Sequence, residues 1–330
     1  MKQFLQKKAK LVFLCMLVLL TCTACANPRG RDGKTLADQI IASEETTIDA
    51  SKINYKDISD KELKKEIKKN IKDGQYTIQP TTFKNSMSKG WFEGLIVWPI
   101  AQIINLISSK TDAGVGIILT TLLIQMLVFV FTRKSQMSTQ RMQEIQPEIQ
   151  KIQNKYKDKT DERSKMQMAQ EMQNIYQKYD IHPFGSMLIT FIQLPIMMGM
   201  YYATMRSVSV VSGSFMGISL AGTPLDGFKA LDIAYISIYV LMVIFYIVSM
   251  KLPQWLKKWQ DKKDNVKVKK YAQEQTNPMA NSMNMSMYFM TAMICIMYIS
   301  WPMAMSFYWL VSSVIRVCQS LILHQVMNKK

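Results

Sequence analysis

The chain alternates long apolar runs with polar, lysine-rich blocks. Five runs beyond the N-terminal segment are long enough to cross a bilayer: Gly114–Thr132, Pro183–Met205, Leu231–Met250, Met283–Ser300 and Met303–His324. About 20 apolar residues make one such helix. The pattern predicts an all-α polytopic membrane protein with five core transmembrane helices.

Two of the polar blocks carry their own periodicity. Within 133–182, Ile145, Ile149, Ile152 and Tyr156 repeat at helical spacing, and so do Ala169, Met172, Tyr176 and Tyr179. Both are seam patterns of paired helices. They predict an antiparallel cytoplasmic helical hairpin. Pro147 should kink or restart its first arm, and Thr160 is the expected N-cap of its second. Met137, Met142, Met166, Met168 and Met172 fill the seam or form an adaptable binding face. In Lys61–Lys72, Leu63, Ile67 and Ile71 make a narrow stripe on a charged helix, which reads as a solvated or surface-lying element.

Trp91–Ser109 is apolar but interrupted by Glu93, Pro99, Gln102 and Asn105. With Trp91 and Trp98 of interfacial character, it is expected to be an amphipathic helix on the outer leaflet. The preceding 25–90 is a polar extracytoplasmic region. Residues 1–24 look like a lipoprotein-type signal peptide, with Lys2, Lys7, Lys8 and Lys10 ahead of the short apolar run Leu11–Leu20. Lipidation is expected at Cys25, with Cys22 the alternative. An uncleaved anchor helix is the other reading of this segment.

A net charge of +17 first suggests nucleic acid. Its distribution points instead to topology. Arg133–Lys178 carries ten Lys/Arg and Lys251–Lys270 eight, whereas Arg206–Lys229 carries two. Basic loops stay in the cytoplasm, so the N-terminus is expected outside and the C-terminus inside, with 251–282 a basic cytoplasmic loop. No sequence-specific nucleic-acid contact is expected. The five cysteines form no disulfide framework. There is no nucleotide loop, metal cluster or cofactor motif. The two histidines, His182 and His324, have no partner motif. The chain is expected not to be an enzyme.

Three short motifs resemble the YidC family of membrane protein insertases, with its Oxa-type and Alb-type relatives. They are Gln146-Pro-Glu-Ile-Gln-Lys-Ile, His182-Pro-Phe-Gly with Phe191-Ile-Gln-Leu-Pro-Ile, and Ser306-Phe-Tyr-Trp-Leu-Val. Their order and spacing match from about Trp91 to Gln325, and 91–330 is the expected insertase core. The leader and small outer region resemble the short Gram-positive members. The resemblance implies five helices around a hydrophilic groove, open to cytosol and lipid and closed outside. A polar tail of a nascent membrane protein would enter it, alone or with the Sec translocon. Ribosome contact would fall to Lys251–Lys270.

The resemblance also implies groove residues. Gln193 and Trp309 match groove positions of the family. In the first span the family carries an arginine, and this chain has Gln125. Arg316, in the last span, stands where the family usually has an uncharged residue, seven positions after Trp309. The expectation is a groove cation moved from the first span to the last. Snorkelling of Arg316 to the cytoplasmic interface is the alternative. A specialised paralogue that scaffolds a few membrane partners is the alternative function. A small-solute transporter is disfavoured because no internal repeat is visible.

Overall fold

A computed structural model describes residues 28–157, 159, 161–181, 185–263, 289 and 291–328. Cys22, Cys25, Thr160 and His182 lie outside these residues, as do 283–288 and 290 of the expected span Met283–Ser300.

The described helices are α1 (Lys61–Asn70), α2 (Phe83–Lys89), α3 (Trp98–Ser108), α4 (Ala113–Glu144), α5 (Gln146–Lys155), α6 (Glu162–Lys178), α7 (Gly185–Arg206), α8 (Val208–Ser212), α9 (Pro224–Ala230), α10 (Ile233–Lys263) and α11 (Met303–Asn328). A further helical stretch covers 291–298. Among the described residues, three segments are long and apolar enough to cross a membrane: Ala113–Met142, Ile233–Gln260 and Met303–Val326. They fall in α4, α10 and α11. The chain divides into two compact units, one of 1–120, 194–222 and 302–305, the other of 121–193, 223–301 and 306–330.

The described residues are mostly helical, as expected, and the first unit adds a few short strands, in three two-stranded sheets. β1 (Thr35–Leu36) pairs in parallel with β3 (Ile53–Asn54). β2 (Thr46–Asp49) pairs antiparallel with β4 (Gln75–Ile78), Thr46 facing Ile78 and Asp49 facing Gln75. β5 (Ser214–Phe215) and β6 (Ile218–Ser219) form a hairpin. Its turn residues Met216 and Gly217 both have positive φ, +52° and +80°. Such a turn matches the natural twist of paired strands.

These elements enclose a small core of Ala37, Ile40, Ala42, Ile48, Ile53, Ile58, Ile67 and Ile78, completed by Val208 and Val211 of α8. Helix α1 is therefore not solvated all round. Its N-cap Asp60 accepts from the backbone N–H of Glu62 and Leu63. Ile67 is 3% exposed in the core, and Leu63 packs against it.

The Trp91–Ser109 segment is helical, with a π turn at Glu93–Val97 leading into α3. Its polar interruptions are internal contacts. The buried Asn105 donates to the Ile41 carbonyl at 2.9 Å and accepts from the Ser207 hydroxyl. Gln102 donates to the Ala42 carbonyl at 3.1 Å, and the Trp98 indole to that of Thr81 at 2.8 Å. Glu93 forms a buried ion pair with Arg206, the last residue of α7, whose Nε donates to the Gln39 carbonyl. Trp91, Leu95 and Leu106 remain exposed.

In the second unit, α5 and α6 form the expected hairpin. Helix α4 runs unbroken to Glu144, and Pro147 opens α5, where its missing N–H costs nothing. Ile145, Ile149, Ile152 and Tyr156 are all buried. Met142, Met172, Ile175, Tyr176 and Tyr179 pack around Ile145, Ile149 and Ile181. Two details differ from expectation. The N-cap of α6 is Asp161, whose carboxylate accepts from the Ser164 N–H at 2.8 Å. Ala169 is exposed. Glu171 already meets Tyr156 just past the end of α5, so Ala169 lies opposite the connecting turn and has no helix to pack on. Met166 is also exposed, away from the seam.

Helix α10 continues to Lys263, so the basic block after Met250 begins as helix and not as loop. Leu, Lys, Gln and Trp through this stretch keep helical geometry available, despite Pro253.

Candidate functional site

Polar side chains are costly in hydrocarbon, so those inside membrane-type helices identify where water or partners are held. The four expected groove residues all lie in the second unit, and it brings them into one cluster. Gln125 of α4 is 5% exposed, and its amide donates to the Ser312 hydroxyl of α11 at 3.2 Å. Gln193 of α7 donates to the Tyr308 hydroxyl at 3.2 Å. Tyr308 is fully buried, and its hydroxyl also faces Ser312 and Gln125. A polar network thus ties α4 and α7 to α11. Gln193 makes an interhelical hydrogen bond.

Beside this network on α11 lies an aromatic cluster. Trp309 stacks on Tyr298, ring centres 4.9 Å apart. Tyr246 of α10 meets it edge-on at 6.2 Å, and Tyr308 lies at 5.4 Å. The Arg316 guanidinium carbon sits 5.8 Å from the centre of the Trp309 ring. Arg316 also donates to the Ser313 hydroxyl at 2.9 Å. Its electrostatic neighbours are Tyr246, Tyr298 and Tyr308. Among the described residues no carboxylate forms an ion pair with it.

The snorkelling alternative concerns the direction of the Arg316 side chain. Arg316 reaches back along α11, toward Ser313 and Trp309. The cytoplasmic interface assumed in that alternative lies the other way, beyond His324. Helical side chains lean toward the N-terminus, and here the lean brings cation and indole together across nearly two turns.

Magnitudes show how the charge is tolerated. An arginine at mid-membrane costs about 2.5–3.5 kcal/mol on insertion scales. A desolvated cation–π contact returns up to about 2 kcal/mol, and a hydrogen bond to a charged group about 1.5–3 kcal/mol. The two contacts match the cost without a counter-ion. A guanidinium has five N–H donors, and Ser313 takes one, which leaves capacity for water or a ligand. The Trp309 indole N–H adds to that capacity. It is buried and has no hydrogen-bond partner among the described residues.

Sequence reading missed Tyr246, Tyr298, Ser312 and Ser313. The paired serines inside an apolar run were a usable signal, because small polar residues mark helix contacts in membranes. Tyr246 and Tyr298 stand in no local pattern that separates them from lipid-facing neighbours.

Three membrane-length helices among the described residues, with buried polar side chains joining α4 to α11, define a multi-pass membrane protein with a polar interior site. A family model described as 60Kd inner membrane protein matches residues 105–330, and the chain belongs to that family. It is 30% identical over 237 residues to membrane protein insertase YidC 1 of Streptococcus pyogenes serotype M6, covering 72% of this chain and 75% of the relative. A YidC 1 of Listeria monocytogenes serotype 4b is 30% identical over 257 residues, 77% and 78% of the two chains. Membrane protein insertase MisCA of Bacillus subtilis is 28% identical over 238 residues, 72% and 80%. The family is the one that the motifs in 146–152, 182–196 and 306–311 resemble.

Proposed function

We propose that this chain is a membrane protein insertase, accepting nascent membrane proteins alone or beside the Sec translocon. The observation carrying this reading is the cluster of Gln125, Tyr308, Trp309 and Arg316 inside the membrane-length helices α4 and α11, joined by Gln193 of α7. The names of the relatives support it. A partly hydrated polar interior shortens the apolar distance that a polar tail must cross, and no covalent chemistry is required. In this reading five spans form the core, the N-terminus is outside with a lipid anchor at Cys25, and the hairpin and C-terminus are cytoplasmic. Arg316 is the groove cation, standing in for the charge absent at Gln125. Its free donors and the Trp309 N–H receive carboxylates or carbonyls of the incoming tail.

The test is complementation in a strain depleted of its main insertase. The unmutated chain restores insertion, Arg316→Ala does not, and Gln125→Arg placed in that variant recovers it. Equal insertion by Arg316→Ala and the unmutated chain ends the relocation idea. The absence of arginine at position 125 favours one second reading, a specialised paralogue serving few partners. Failure of the unmutated chain to rescue, with folding intact, supports it.

A further inference from the structure

The last turns of α10 present a face that the insertase reading does not use. The apolar run of α10 ends at Met250, about 27 Å from its start at Ile233, which matches a hydrocarbon core. The helix then continues to Lys263, about 20 Å more. In this extension Trp255 is 49% and Trp259 61% exposed. Lys258, Lys262 and Lys263 are exposed beside them. Trp255 stands three and four residues before Lys258 and Trp259, and Lys262 three and four after Trp259 and Lys258, so indoles and ammonium groups share one side of the helix. The Lys263 ammonium lies 5.6 Å from the Trp259 ring.

We infer that this strip docks on the headgroups of anionic phospholipid at the leaflet where α10 leaves the bilayer. Charge complementarity and position carry the inference. Lys251–Lys263 holds five lysines and one acid, Asp261, a net charge of +4. Tryptophan prefers the headgroup level, where its ring is apolar and its N–H is wet. Trp255 stands four residues, about 6 Å, beyond Lys251, within the headgroup layer. Pro253 has no N–H to donate to Ser249, which loosens the helix just where the span ends. The helix continues past Pro253, and Trp259 follows one turn, about 6 Å, after Trp255. Each lysine near an anionic surface strengthens attachment roughly fivefold.

The test uses the full chain in vesicles of phosphatidylcholine or phosphatidylglycerol whose acyl chains are brominated near the headgroup. The fluorescence lost in Trp255→Phe/Trp259→Phe isolates these two indoles. They are expected to be quenched at least about twofold more in phosphatidylglycerol. Lys258→Gln/Lys262→Gln/Lys263→Gln, which keeps every tryptophan, is expected to abolish that excess, as is 0.5 M salt by screening. Equal quenching in the two lipids, or none, overturns the inference. So does a lysine variant that loses ribosome co-sedimentation while its quenching is unchanged, since the strip then belongs to RNA. Insertion by Arg316 variants is read separately, so failure here leaves the insertase reading standing.

Discussion

The Arg316 guanidinium lies 5.8 Å from the centre of the Trp309 ring, on the same helix and seven residues away. The contact holds a cation inside a membrane-length helix by aromatic faces and a serine hydroxyl. Its planarity matters, because guanidinium stacks on an indole face and a lysine ammonium does not. Arg316→Lys keeps the charge and loses the stack. Insertion of a substrate with an acidic tail is expected to fall about threefold to tenfold, within the range of a cation–π contact. A radiolabelled insertion time course in reconstituted vesicles measures it, and an unchanged rate means that charge alone suffices.

Gln125 separates a structural from a functional role. Gln125→Leu removes the hydrogen bond to Ser312 and the polar contact with the Tyr308 hydroxyl. Interhelical bonds of this kind contribute about 0.6 kcal/mol in membranes. Unfolding in mixed micelles should therefore shift little. Insertion should also change little if Arg316 carries the recognition of the tail. A large insertion defect with normal stability would move the functional weight to Gln125.

The Glu93–Arg206 pair gives a stability prediction. Its side chains are 14% and 5% exposed. Arg206→Met leaves a buried carboxylate alone and is expected to cost about 3–5 kcal/mol. Glu93→Leu/Arg206→Met should recover most of that loss. Protease resistance of the folded segment 28–90 reads both, because Arg206 also holds the Gln39 carbonyl.

The hairpin should respond to acid. Hydrogen bonds from Lys155 and Tyr156 hold the Glu171 carboxyl below the usual glutamate value, and the Glu171 bond raises Lys155. A depressed carboxyl stabilises the folded form above its unfolded value, near 4.5. That contribution is lost as pH falls through the folded value. Hydrogen-exchange protection across α6 is expected to drop between neutral pH and pH 3. The Glu171→Gln variant should start from lower protection and show a flatter profile.

The parts that sequence revealed are those with strong local signals. The hairpin seam repeats over two turns and more in each arm, so its buried face followed directly, Ala169 excepted. Arg316 stood out because a charge in an apolar run is expensive. The folded segment 28–90 was missed for a physical reason. Its core isoleucines are single residues among polar ones, and Val208 and Val211 complete the core from far along the chain. One signal there was readable: Asp73-Gly74, both at positive φ, turns the chain into β4. Such a pair is a hairpin signature. The aromatic cluster needed three dimensions, since Tyr246, Tyr298 and Trp309 come from three separate helical segments.

The shared core of 37–78 with Val208 and Val211 also sets a timetable. During synthesis the early strands and α1 are made long before α8 exists. At roughly 5–20 residues per second, the 130 residues between Ile78 and Val208 take on the order of ten seconds. Through that interval the early segment carries an open apolar edge. It closes only after α7 has been produced and its far end lies beside the waiting strands. Maturation of this protein is thus gated by delivery of its own later helix, and a stalled chain ending before residue 208 should remain protease-sensitive in its first 90 residues.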